Sequence, residues 1–383
     1  MIAVLAAAAG AAPELAQRQT KLKGLLVRPL ATGDNAGMAS QMNATAIPAD
    51  DRSAVLAVSF NQDVGKMMGS ALKEVIKFLR VRHEKWPRGY DVEIAFADHY
   101  TPKDGPSAAT ACALLLDSLV TGTKLDPTFA ITGDMNADGS VRPVGGVPAK
   151  VRGARSKDCK TVGIPAANAR ALGDLVLTDG VMPVTHIQVF TIRDFDQAKA
   201  LAVAEKAEPL AEAIAEFALV QRAVGQRGPN VLRNVKVKAK LANVLKLAPN
   251  HLSAKLLLDS ATGRAPRSLS LLGSLENIER SAASLLEAAR GGKSGRDTLA
   301  PDELAGGITE LKRVRMKLDR RTWPYADSIH DFGHLVREYQ NAPPRGVPMM
   351  RKKIEEIRDS ADRIEAEVRK IRNDKAMMEE LMQ

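Results

Sequence analysis

The chain has 383 residues, 45% of them hydrophobic and 26% charged, which is the composition of an ordinary soluble protein with room for two or three domains. Only 4% are aromatic, with two Trp and four Tyr, too few for a base-stacking surface of the kind that holds single-stranded nucleic acid. The formal charge of +10 and a pI near 9.5 favour acidic partners or an anionic membrane surface, but Lys and Arg are dispersed along the chain, so a nucleic-acid partner is not expected.

Residues 2–12 form an apolar, alanine-rich run ending near Ala9, Gly10 and Ala11, small residues of the type a signal peptidase reads. This predicts a signal peptide over residues 1–12 and export to the periplasm or beyond. No Lys or Arg precedes the run, and a cytoplasmic location is the alternative. The run is shorter than the ~20 apolar residues that cross a bilayer, and no later stretch qualifies, so no transmembrane span is expected.

From residue 24 to about 204 short β-type runs alternate with helical ones. Residues 53–59 (SAVLAVS) and 90–97 (YDVEIAFA) read as strands, with a helix over 66–81 between them. A second helix starts at Ser107 and is apolar almost all round through Val120, which predicts burial. Pro106 before it suits a helix start, where a missing N–H has no consequence. Residues 129–135 and 140–144 are joined through Asp138-Gly139 and predict a hairpin. After Gly145-Gly146 a helix runs through Lys150 to about Ser156, and residues 161–164 read as a strand. Cys112 and Cys159 fall in a buried helix and in a short turn before a strand. They lack metal-ligand spacing and read as structural thiols.

Beyond residue 204 the β signal disappears. Residues 205–383 predict an all-helical region, with linkers at 263–268 and 291–301. Residues 235–260 carry two helical patterns broken at Pro249, and LKLAPNHLSAKLLL resembles a tetratricopeptide-repeat junction within 229–262, in a single copy. Ile354, Ile357, Ala361, Ile364, Val368 and Ile371 form a packing seam on a helix over 349–381. The fold class expected is α+β, a mixed α/β domain followed by helices.

TPKDGPSAAT, residues 101–110, places a serine at the start of a buried helix after a strand and a Gly-Pro turn. There Ser107 lies beside the unpaired N–H groups of the helix start, which can stabilise an oxyanion. Alone, such a serine reads as a helix cap. VRPVGGVPAKVRGARSKDCKTVGIP, residues 141–165, with TGD at 132–134, resembles the second signature block of the Lon proteolytic domain, and TPKDGPSA resembles its nucleophile block. The order of the blocks and the 43 positions from Ser107 to Lys150 agree with that family, and the resemblance extends over 22–204. It implies that Ser107 is a nucleophile and Lys150 its general base. It further implies that Thr132 hydrogen-bonds the lysine and that Asp104 orients the loop before the Gly-Pro-Ser turn.

A serine hydroxyl needs a base, and lysine serves as one only when neutral, so the site must lower a pKa that is ~10.4 in water. Val144, Val147 and Val151 and the apolar Ser107 helix suit that. The resemblance has departures. Histidines common in the strand before the nucleophile block are absent from YDVEIAFAD, His99 is out of register, and Asp134 stands where Lon usually has Glu.

A phosphate loop of the form G-x-x-x-x-G-K-[ST] is not found in the sequence, because Gly292-Lys293-Ser294 has Glu287 at the first glycine position. His330 and His334 in HDFGH have the spacing of helical zinc ligands, but Asp331 replaces the longer Glu and Gly333 weakens a helix, so they read as surface histidines. No cofactor or metal is implied. These readings point to a serine endopeptidase acting on unfolded or flexible polypeptides without an ATP-driven motor. The resemblance to Lon implies a homo-oligomer, and the helical region would dock a protein partner or substrate. The alternative is an inactive Lon-like scaffold.

Overall fold

The computed structural model of the protein describes residues 15–29, 35–98, 104–290, 299–342 and 347–382; the apolar run 2–12, His99, residues 101–103 of the nucleophile block and 291–298 of the second linker lie outside them. Two compact units are present, one of residues 15–28, 35–172 and 181–264, the other of 173–180 and 265–382. Among the described residues no helix is long and apolar enough to cross a membrane.

The first unit carries β1 (Gln19–Pro29), β2 (Asn35–Pro48), β3 (Ala57–Phe60), α1 (Lys66–Arg82), β4 (Tyr90–Phe96) and α2 (Ala109–Thr121), the last entered through a 3-10 turn at Pro106–Ala108. It continues with β5 (Phe129–Ile131), β6 (Asp134–Met135), β7 (Val141–Arg142), α3 (Val147–Arg155), β8 (Thr161–Pro165), α4 (Ala169–Asp179, of which residues from Gly173 on belong to the second unit), α5 (Met182–His186), β9 (Gln188–Ile192) and α6 (Phe195–Ala202). Helices α7 (Leu210–Arg227), α8 (Val235–Leu247) and α9 (Leu252–Ala261) complete it.

Seven strands form a mixed sheet in the order β3-β4-β2-β1-β5-β8-β9. Strands β1, β5, β8 and β9 pair parallel in succession, β3 is parallel to β4, and β2 runs antiparallel to β4 with Met42 opposite Phe96. In β4 the period-two pattern is visible directly: Tyr90, Val92, Ile94 and Phe96 are buried while Asp91 and Glu93 face out. Helix α2 has no polar face, and Ala109 through Leu119 are all buried. Its one carboxylate, Asp117, is held by Lys199 Nζ at 2.8 Å and His83 Nε2 at 3.0 Å. Burial pushes the Cys112 thiol up to about 12, which leaves it unreactive.

The α+β class holds, with corrections in detail. The expected hairpin over 129–144 divides, because Phe129–Ile131 joins the main sheet and only Asp134–Met135 pairs with Val141–Arg142. At the break the backbone bonds elsewhere: Thr132 N donates to Gly163 O at 3.1 Å and Gly133 N to Ser107 O at 2.9 Å. In SAVLAVS only Ala57 onward is strand, while Val55 makes an isolated bridge to Arg88. The secondary structure changes type near residue 204, but the compact unit that holds the sheet runs on to Arg264. The reason is the last strand, β9, which lies at the sheet edge. Thr191 N donates to Asn250 O at 2.9 Å, Asn250 Nδ2 returns a bond to Thr191 O at 2.9 Å, and Val189 N donates to Ser253 Oγ at 2.9 Å.

His251, at the start of α9, packs against the rings of Phe190 and Phe217 in tilted contacts, with centroids 4.3 and 4.4 Å away. Its Nδ1 accepts from Ala254 N at 3.2 Å and its Nε2 meets Gln188 Oε1 at 3.1 Å, while burial drives its pKa down to about 3. It is therefore a neutral helix cap.

The second unit is helical among its described residues: α10 (Leu271–Ser281), α11 (Ala283–Arg290), α12 (Pro301–Arg315), α13 (Trp323–Asn341), α14 (Val347–Asn373) and α15 (Lys375–Met382). Leu285, Ile308, Ile329, Phe332 and Val336 centre its core. The seam on α14 packs against that core, with Ile357 and Ile364 buried and Ile354, Ala361, Val368 and Ile371 half-buried beside them.

Candidate active site

Ser107 sits in the 3-10 turn that leads into α2, preceded by Pro106. Proline has no N–H, and at the second position of the turn the Ser107 N–H has no acceptor within the helix. The turn is laced to the end of β5. Ser107 O accepts from Gly133 N and from Thr132 Oγ1, at 2.9 and 3.2 Å, and Gly133 O accepts from Thr110 N and Thr110 Oγ1, at 3.1 and 3.0 Å. Gly133 is required there, because a Cβ would stand 2.7 Å from Thr110 Oγ1 and 2.8 Å from Val141 Cγ1.

Lys150 lies in the first turn of α3 and is 2% exposed. Its Nζ donates to Thr132 Oγ1 at 3.0 Å. The single Thr132 hydroxyl proton goes to Ser107 O, so the same oxygen accepts from the lysine and links it to the serine backbone. Burial lowers the Lys150 pKa from 10.5 to about 8. No carboxylate opposes this among the described residues, and an amine without a counter-ion in an apolar setting favours its neutral form. Ser107 Oγ and Lys150 Nζ form no direct hydrogen bond here; bonds of this kind often close only when substrate is bound.

Glycines set the position of α3. Gly146 caps it at φ +69°, a left-handed conformation. Gly37 of β2 and Gly153 of α3 bring two backbones together: a Cβ on Gly37 would fall into the Ala149 carbonyl, and one on Gly153 into the backbone of Gly37. Before the helix, Asn168 holds Val144 as a partner strand would, accepting from Val144 N at 2.9 Å and donating to Val144 O at 3.0 Å.

The structure thus brings Ser107, Thr132 and Lys150 together. Asp104 is exposed, and its carboxylate fills the space where Gly65, at the start of α1, lacks a side chain. It makes no hydrogen bond to Ser107 or Lys150 among the described residues. Asp134 is buried and pairs with Arg142 across the β6–β7 hairpin, which makes it a brace of that hairpin. Thr110, Asn168 and the Gly37–Gly153 contact carried no motif. The one hint was Gly153, a glycine inside an otherwise helical pattern, which marks close backbone approach. Among the described residues no cluster of three metal-ligating side chains occurs.

A mixed α/β sheet thus carries a serine at a helix start and a buried lysine without a counter-ion, 3.0 Å from the threonine that links the two. Residues 41–195 match the family model described as the Lon protease (S16) C-terminal proteolytic domain. Similar proteins include Lon protease 1 of Thermus thermophilus, 33% identical over 124 residues, which cover 31% of this chain and 16% of that protein. Lon protease of Methanosarcina barkeri is 33% identical over 136 residues, 34% of this chain and 17% of the relative. Lon protease of Escherichia coli K12 is 32% identical over 141 residues, 34% and 18% respectively. The chain therefore spans less than a fifth of the length of these relatives, and the likeness lies in the proteolytic domain.

Proposed function

We propose that the chain is a serine endopeptidase in which Ser107 attacks a peptide carbonyl and Lys150 is the general base. The observation that carries the reading is the buried Lys150 amine, with its pKa lowered to about 8 and its Nζ held on Thr132. Neutral Lys150 takes the Ser107 proton as Oγ bonds to the carbonyl carbon. The C–N bond then breaks, Lys150 returns the proton to the leaving amine, and an ester remains on Ser107. Water, deprotonated by Lys150, attacks the ester and releases the acid, and the proton passes back to Ser107 Oγ. The free N–H at the helix start supports the transient oxyanion.

The substrates proposed are unfolded or flexible polypeptides, which need no nucleotide-driven unfolding because local disorder already exposes their bonds. Self-association and partner docking by the helical region belong to the same proposal, as does export directed by residues 1–12. Sequencing the mature N-terminus from the host tests the last point.

The central test is turnover of an unfolded, fluorophore-labelled polypeptide with and without ATP, beside Ser107→Ala and Lys150→Ala. Nucleotide-independent turnover that falls on the order of a thousandfold or more in each variant is expected. Turnover surviving both substitutions refutes the dyad. Absence of turnover in every oligomeric state would favour the inactive scaffold.

A further inference from the structure

Helices α12 and α13 border a cleft of about 660 Å3, within the range of small-molecule sites. Ile308, Leu311 and Ala326 give it an apolar wall, and Lys312, His330, His334 and Arg337 give it a basic one. Arg315, also on the lining, is neutralised, since its Nε and Nη2 bind both Asp327 oxygens at 2.6 and 2.7 Å and it stacks on Trp323 at 4.3 Å. Lys312 and Arg337 have no carboxylate partner among the described residues.

The histidines have defined roles. A guanidinium only donates, so Arg337 Nη2, 3.0 Å from His334 Nδ1, makes that nitrogen the acceptor and puts the His334 proton on Nε2. His334 Nε2 then donates to His330 Nε2 at 3.2 Å, and the His330 proton sits on Nδ1, on the side of Asp331 at 3.8 Å. Neither Nε2 offers a lone pair to a metal, and Lys312 and Arg337 add two cations without a carboxylate partner among the described residues. The i, i+4 histidine pair thus suits an anion better than zinc.

We propose that this cleft binds a small molecule that carries a phosphate or carboxylate group on an apolar body. The Arg337 fork and the Lys312 ammonium would engage the oxyanion, and the apolar wall would take the remainder. Binding would also draw a proton onto the histidine pair. Once both Nε2 atoms carry hydrogen, the bond between them is lost and each can donate to the ligand. His334 is held below its ordinary value by burial first, then by His330 and Arg337, against Asp331 and Glu338, which act the other way. The charged groups facing the pair are Lys312 and Arg315 from α12 and Asp327, Asp331, Arg337 and Glu338 from α13, the last of these bound to Lys353 of α14 at 3.3 Å. Affinity should therefore rise as pH falls through the histidine range, by up to about tenfold per unit for each proton taken up.

The test uses the full chain in calorimetric titration and in histidine Cε1–H resonance spectra, assigned with His330→Gln and His334→Gln. The probes are inorganic phosphate, phenyl phosphate, acetate and phenylacetate, at about pH 6 and about pH 7.5. Saturable binding of phenyl phosphate or phenylacetate below about 1 mM is expected, tighter at the lower pH and tighter than the matching inorganic phosphate or acetate. Whichever arm saturates identifies the group. Arg337→Gln and Lys312→Gln, both at exposed positions, should each weaken binding about tenfold or more. No saturation by any probe, unchanged affinity in both variants, or zinc binding that survives Arg337→Gln would overturn the proposal. Equal affinity for phosphate and phenyl phosphate would remove the apolar body from it.

Discussion

A Lys150→Met variant keeps an unbranched side chain in the pocket and deletes the amine. In the folded chain burial lowers that amine from 10.5 to about 8. A tenfold change in proton affinity is worth ~1.4 kcal/mol, so holding an ammonium there at neutral pH costs the fold about 3 kcal/mol relative to the unfolded chain. Between about 8 and 10.5 the native state binds fewer protons than the unfolded one, so stability rises with pH across that window. Below it the whole penalty applies. The variant also loses the Nζ bond to Thr132, worth about 1 kcal/mol. Methionine should therefore stabilise the protein by about 1–3 kcal/mol at pH 7, with the gain shrinking below about 1 kcal/mol by pH 10, while peptidase activity is lost. Urea unfolding midpoints of both proteins at the two pH values measure this. A variant no more stable at neutral pH, or a gain that does not shrink on alkalinisation, would refute the account of Lys150 as a destabilised, buried base.

Three further outcomes are expected. The peptidase rate should rise about tenfold from pH 7 to pH 9, with an inflection near 8, because only the neutral amine can accept the serine proton; a flat kcat/KM profile with the fold intact contradicts it. Thr132→Val removes the oxygen that accepts from Lys150 and the proton that binds Ser107 O, so the rate should fall about ten- to a hundredfold and the inflection should move to lower pH. Finally, Gly153→Ala should destabilise by about 2 kcal/mol or more, since its methyl meets the Gly37 backbone, whereas Gly145→Ala, with open space around it, should leave the thermal midpoint nearly unchanged.

Ser107 and Lys150 were legible as candidates because spacing and flanks coincided at two blocks, and the apolar run over α2 made a buried helix legible as well. Strand β2 was not legible. Its sequence NAGMASQMNATAIP is poor in branched and aromatic residues, although Ser40, Met42, Ala44 and Ala46 alternate toward the interior. The small side chains are explained by α3, whose backbone rests on Gly37, a tertiary requirement that no local propensity expresses. The division of the predicted hairpin was hidden for a similar reason. Thr132 and Gly133 read as strand, but Ser107 and Gly163, distant in sequence, capture their backbone. Asp104 was marked by its motif position as a residue that orients the loop before the turn, and its contact is with the Gly65 position at the start of α1, which no local pattern expressed.

The outer edge of β9 has a practical implication for anyone isolating the segment that matches the family. Sequence similarity ends at residue 195, yet the amides of Val189 and Thr191 depend on Ser253 and Asn250, and the Phe190 ring on His251. A fragment cut at the similarity boundary would carry a bare parallel strand, open to pairing with another molecule. Such a fragment should precipitate or exchange strands, whereas one continued to Arg264 should remain monodisperse. The piece that is inherited and the piece that folds are, in this chain, of different lengths.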